Sequence, residues 1–189
     1  MQVREMISRY YPAFSNIEHY PASRTIVVNK VQAEWGILGN FAASPIVLDG
    51  VCFPSAEHLF QILKLNDTPL RRRVLAAPRN LTMKHMAISK DNSDCIRPDW
   101  PMHIVDALSY TLQQKFNQCP AFQTELLRTK GFYIVEKAHK RTFDSYSAIL
   151  VNDEWVGPNL MGRLLMTLRE EGQLQYTLPH DMLDFSDIA

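Results

Sequence analysis

Three side chains able to bind and move charge stand at helical spacing in one short segment: Glu57, Gln61 and Lys64. Residues four and three apart line up along one side of a helix, so a carboxylate, an amide and an amine share one row. Ala56, Leu59, Phe60, Ile62 and Leu63 form the apolar arc on the other side. The row is either a solvated face or one wall of a reactive cleft. In the cleft reading Glu57, in the first turn where the helix dipole complements a negative charge, acts as a base or as a stabiliser of positive charge. Lys64, two turns on, could bind phosphate or keep the carboxylate charged. A second carboxylate could come from Glu136, at the end of an apolar run, or from Asp144 in the loop beyond it. Each of these could equally be an exposed surface acid.

The elements that must position these groups are legible from punctuation and periodicity. Pro54-Ser55 opens the helix, which the pattern carries to about Asn66. Before it, Ile46-Val47-Leu48 and Val51-Cys52-Phe53 flank Asp49-Gly50, a hairpin signal. Thr25 to Val28 and Phe132 to Val135 read as strands. Short helices are predicted from Pro69 to Ala77 and from Leu81 to Ser89, with a polar loop from Lys90 to Pro101. A longer helix starts at Pro101 with Val105, Leu108, Leu112 and Phe116 inward. Another starts at Pro120 and is ended by Gly131. The last begins at Pro158, buries Met161, Leu164, Leu165 and Leu168, and stops at Gly172. Residues 137 to 156 show no regular pattern. Strands and helices do not alternate, so the expected class is α+β: a helix-rich single domain with a small β-sheet. Residues 1–24 are expected as an N-terminal arm or short helix, 25–172 as the domain, and 173–189 as an acidic, mobile tail.

At 189 residues the chain can build a real core but is short for two domains. Twenty basic and twenty acidic residues cancel, so no net field draws it to nucleic acid or an anionic membrane. Arg71-Arg72-Arg73 is a local exception; it reads as a solvated face or as a contact for a polynucleotide. Lys137, Lys140 and Arg141 form another basic patch. The three cysteines, Cys52, Cys95 and Cys119, are odd in number and lack metal-ligand spacing, which fits reduced thiols in a cytosolic protein. The six histidines show no metal-ligand spacing either, and no metal or cofactor is expected. The absence of an apolar leader or a membrane-length run points to a soluble, cytoplasmic chain.

Three blocks of residues together resemble the YbiA/NADAR family. The first runs from Glu34-Trp35-Gly36 and Gly39-Asn40-Phe41 through Pro45-Ile46 and Asp49-Gly50 to Glu57-His58, Gln61 and Lys64. The second is Arg97-Pro98-Asp99-Trp100 with Lys115-Phe116. The third joins Leu126-Leu127, Thr129 and Ile134-Val135-Glu136 to Gly157-Pro158-Asn159-Leu160-Met161-Gly162, Leu165-Met166 and Arg169. The resemblance implies a YbiA-like fold and an enzyme cleaving N-glycosidic bonds of ribose derivatives. Its substrates would be ribosylaminopyrimidine phosphates of riboflavin biosynthesis or ADP-ribosylated guanine in nucleic acid. The chain departs from the family pattern at Gly39, where a serine is usual, and at Val28, where phenylalanine is. A Gly-Arg pair has no counterpart near Lys84 to Lys90, and the Trp-Gly following the loop acid has become Ser147-Ala148 after Asp144.

Cleaving such a bond builds positive charge at the ribose C1, so a site needs a carboxylate to stabilise it or activate water, and a donor for the leaving base. Glu57 is the leading candidate, with Asp144 and Glu136 in support. Trp100 is either a core anchor or a ring that stacks on a base. Trp35 and Phe41 are either packing residues or a second wall, and Asn40 binds ribose hydroxyls or satisfies a turn. Gly157-Pro158-Asn159 precedes a helix whose free amides could accept phosphate, or simply caps it. His58 reads as a packed histidine. The expected partner is a ribose phosphate or ADP-ribose derivative, with ADP-ribosylated nucleic acid as a second class and no membrane. Two other readings compete: an inactive sensor that binds ADP-ribose or a related nucleotide, and a helical protein-interaction domain with a vestigial pocket.

Overall fold

A computed structural model describes residues 1–78 and 80–189. In chain order the elements are α1 (Val3–Tyr10), β1 (Glu18–Pro21), β2 (Thr25–Val28), β3 (Ala43–Leu48), β4 (Val51–Ser55), α2 (Ala56–Leu63), α3 (Thr68–Leu75) and α4 (Asn80–Ile88). There follow α5 (Trp100–Gln118), α6 (Pro120–Arg128), β5 (Tyr133–Glu136), β6 (Ile149–Val151), β7 (Glu154–Gly157) and α7 (Leu160–Glu171). The result is a helix-rich α+β protein with small sheets. No helix among the described residues is long and apolar enough to cross a membrane. The chain divides into two compact units, one made of Met1–Gly39 with Ala121–Leu174, the other of Asn40–Pro120 with Gln175–Ala189.

In the first unit β7 is the middle of a three-stranded antiparallel sheet ordered β1-β7-β6, and β2 pairs in parallel with β5. Beyond β5 the backbone bridges both ladders: Lys137 N donates to Val28 O, and Ala148 N donates to Glu136 O. Tyr20, Val135, Ala148 and Trp155 make a core cluster there. The segment 1–24 supplies the short helix α1, one of the two expected alternatives, and also the strand β1 that pairs with β7. Residues 138–147 carry no helix or strand, as the pattern reads, but the rest of the stretch to 156 is corrected: Asn152 and Asp153, both at positive φ (45° and 62°), turn a hairpin between β6 and β7. The pair supplies the left-handed backbone that such a turn requires, without the glycine that usually signals it.

In the second unit Asp49 and Gly50 (φ 48° and 83°) form the predicted turn between β3 and β4, with Leu48 opposite Val51. Ser55 caps α2, its Oγ accepting from His58 N at 3.4 Å. The helix ends at Leu63, three residues short of the expected end at Asn66. It packs against α3, α4, α5 and both strands of the hairpin, so all eight of its residues are buried. The C-terminal segment is not a mobile tail. Met182, Phe185 and Ile188 are buried, and Phe185 meets Phe53 edge-on at 5.0 Å between ring centroids.

Candidate functional site

Burial on every side of α2 removes one of the two readings of its polar row. Glu57, Gln61 and Lys64 are 5%, 3% and 6% exposed, so the row is no solvated face. Buried polar groups must find partners, and these find one another. Lys64 Nζ donates to Gln61 Oε1 at 2.7 Å, and Gln61 Nε2 donates to Glu57 Oε1 at 2.9 Å. The amide relays between ammonium and carboxylate, in the order that the spacing predicts. Burial pushes the Lys64 amine down to about 8, against the pull of Glu57, with Lys84 adding to the depression.

A residue that the sequence analysis passed over completes the arrangement. Lys84, on α4, lies 3.4 Å from Glu57 Oε1, and its ammonium stands over the Phe41 ring at 5.1 Å from the centroid. Lys84 has no partner in its own helix to reveal it; only the packing of α4 on α2 brings it to the carboxylate. Asn80, at the start of α4, ties the same parts together. Its Nδ2 donates to Phe41 O at 2.6 Å, while its Oδ1 accepts from Ser55 Oγ at 3.1 Å. The backbone of Asn40 accepts from Glu57 N at 3.0 Å, and its side-chain Oδ1 is buried with no hydrogen-bond partner. Such an unfilled buried acceptor is an exception among buried polar groups.

The remaining candidates divide between the units. Trp100 belongs to the second, is 4% exposed and packs edge-on against Phe60 at 5.4 Å; it is a core anchor with little ring left for a base. His58 is buried, with Nδ1 2.8 Å from Ser55 Oγ and Nε2 3.4 Å from Ala77 O, and burial lowers its pKa. Of the arginine run, Arg71 is buried, while Arg72 and Arg73 are exposed, as the solvated reading expects. Arg71 Nη1 donates to Asp187 Oδ1 at 2.6 Å, and Arg72 donates to Asp187 O.

Trp35, Glu136, Asp144, Gly157 and Asn159 lie in the first unit. Trp35 carries the Arg128 guanidinium at 5.5 Å from its ring centroid. Asp144 is exposed, and its Oδ1 accepts from Tyr146 N at 2.9 Å and from Ser147 Oγ at 2.7 Å, so the carboxylate closes its own loop. Glu136 is half-buried at the end of β5. Asn159 is fully buried in a left-handed conformation (φ 51°). Its amide is used by backbone: Nδ2 donates to Ile134 O at 2.9 Å and Oδ1 accepts from Glu136 N at 3.1 Å. Gly157 is pressed on the next loop, where a Cβ would fall 2.4 Å from Ser147 O. The Gly157-Pro158-Asn159 segment thus fastens α7 to β5, and the Asn159 side chain makes no capping hydrogen bond to the helix.

Residues 10–172 match the model of the NADAR domain. The N-glycosidase YbiA of Escherichia coli is 29% identical over 155 residues, which cover 82% of this chain and 92% of that protein. A riboflavin biosynthesis protein of Vibrio vulnificus is 30% identical over 179 residues, 95% of this chain, but the chain spans only 45% of that protein's length. The NMR structure of the E. coli protein YbiA matches with a TM-score of 0.66 at 26% identity, over 82% of this chain and 90% of that one. With the domain model matched over most of its length, the chain belongs to the NADAR family.

Proposed function

We propose that the protein is an N-glycoside hydrolase that cleaves the ribose–base or ribose–amine bond of a phosphorylated or ADP-ribosylated nucleoside-like substrate. The observation that carries this reading is the buried Glu57 carboxylate, held between the Gln61 amide and the Lys84 ammonium. As the C1–N bond lengthens, positive charge grows on C1 and the ring oxygen, and a fixed carboxylate stabilises it without reorganising. Water then adds to C1. One of its protons passes to a base, for which Glu57 is the candidate, and the departing nitrogen takes up a proton. Asn40 Oδ1 accepts from a ribose hydroxyl, Phe41 supplies an apolar wall, and Lys64 and Lys84 offset phosphate charge. The names of the relatives, an N-glycosidase and a riboflavin biosynthesis protein, support the bond type and the riboflavin-pathway branch; the ADP-ribosylated guanine branch rests on the family resemblance. Three free cysteines suit work in the cytoplasm.

A second reading, a nucleotide-binding sensor, is favoured by one observation: the carboxylate of Asp144, a supporting acid in the hydrolase reading, is engaged within its own loop. Product release from the two substrates, run in parallel under multiple turnover, separates the readings. Release from either identifies the hydrolase and its branch, whereas saturable ADP-ribose binding with no product from either identifies the sensor.

A further inference from the structure

We propose that the cleft at Arg97 is a phosphate-binding site, occupied here by the carboxylate of Asp181 from the chain's own C-terminal segment. The cleft is an open surface hollow of about 320 Å³ lined by Asn66, Arg97, Pro98, Asp99 and Asp181. Asp99 grips one edge of the guanidinium, accepting from Nε at 3.0 Å and from Nη2 at 2.9 Å, which fixes the plane and directs Nη1 to the cleft. Nη1 donates to Asp181 Oδ2 at 2.8 Å. The Arg97 side chain is 11% exposed and that of Asp181 is 72% exposed, so a buried, oriented donor meets an acceptor that stands largely in water. A pair of that kind is weakly held. With the Nε–Nη2 edge taken by Asp99, Nη1 is the donor left for an anion, and a phosphate oxygen can replace the Asp181 carboxylate there.

The segment carrying Asp181 lies beyond residue 172, where the family match ends. It is anchored apart from the cleft. Asp187 binds Arg71 at 2.6 Å and Thr68 Oγ1 at 2.6 Å, and Met182, Phe185 and Ile188 are buried. Asp181 can therefore swing off Arg97 while the segment stays in place. Arg97 N also donates to Lys64 O at 3.0 Å, which joins the cleft to the end of the polar row on α2. Binding at the cleft is separable from hydrolysis, so the test reads binding alone.

The test is calorimetric titration of the full chain with inorganic pyrophosphate at fixed ionic strength. It compares wild type with Asp181→Asn, Arg97→Gln and Asp184→Asn. Saturable binding is expected for wild type, about three- to tenfold tighter in Asp181→Asn, because the apparent affinity is reduced by the fraction of molecules that are closed. Arg97→Gln should lose it. Asp184→Asn removes the same charge from the same segment but lies outside the cleft lining, and should bind like wild type. Should Arg97→Gln fail to fold, the two aspartate variants decide. Equal affinity of wild type and Asp181→Asn, equal tightening by both aspartate variants, or no saturable binding in any would each overturn the proposal.

Discussion

Lys84 Nζ stands 3.4 Å from Glu57 Oε1, bringing the side chain of one helix to the buried carboxylate of another. The lysine is 39% exposed and the glutamate 6%, so the pair spans the boundary between solvent and interior. The cation stands partly in water, and the anion lies where water is scarce and its field is strong.

The pair makes a prediction about stability. Lys84→Met leaves the Glu57 carboxylate buried without its cation and should cost about 1–2 kcal/mol, less than a fully buried pair because Lys84 is part-exposed. Adding Glu57→Gln should recover most of that loss. Urea unfolding of both single variants and the double variant measures the coupling; strictly additive effects would mean that the two residues do not interact.

Two buried lysines predict a rise in stability with pH. Lys64 is pushed down to about 8 and Lys115, on α5, to about 7, both by burial. Between those values and the ordinary lysine value the unfolded chain binds more protons than the folded one, so unfolding free energy increases with pH there. Below about 7 both states are protonated and the fold carries the full cost of the buried charges. Lys115→Met should therefore flatten the rise from about pH 7 to 10 and leave the variant the more stable protein at pH 6. Denaturation curves across that range check it; an unchanged slope would contradict it.

Close approach of α7 to β5 predicts intolerance at Gly162. A Cβ there would fall 2.1 Å from Ile134 O and 2.5 Å from Asn159 Nδ2, against backbone and a clamped amide that cannot retreat. Gly162→Ala should destabilise by about 2–4 kcal/mol, in the range of severe overpacking. Gly172→Ala has open space for its Cβ, and its cost comes from the positive φ of 72° alone, about 1 kcal/mol. Thermal melts that rank the two in the opposite order would refute this account of α7 packing.

Local signals carried far in this sequence because several elements have strong punctuation. The Pro54-Ser55 cap, the Asp49-Gly50 turn and the inward row Met161, Leu164, Leu165 and Leu168 all hold in the structure. What was not legible depends on distant contacts. Whether Glu57, Gln61 and Lys64 were wet or buried turned on what covers α2, and its own periodicity could not report that. Lys84 and Asn80 acquire meaning only because α4 packs on α2. Arg71 alone of the arginine run is buried, and its partner, Asp187, lies 116 residues away. The Asn152-Asp153 turn was within reach: two left-handed-tolerant residues between Ile149-Leu150-Val151 and Trp155-Val156 are a hairpin signal weaker than Asn-Gly but of the same kind.

The most direct test of the central claim is the turnover rate of Glu57→Gln on whichever substrate the wild type hydrolyses, with folding verified by its melt. The variant keeps the side-chain volume and removes the charge. A fall in kcat of at least a hundredfold with KM little changed is the predicted result, as expected where an interaction acts on the transition state more than on the bound substrate. Turnover within a few-fold of wild type in the folded variant would contradict the role given to Glu57.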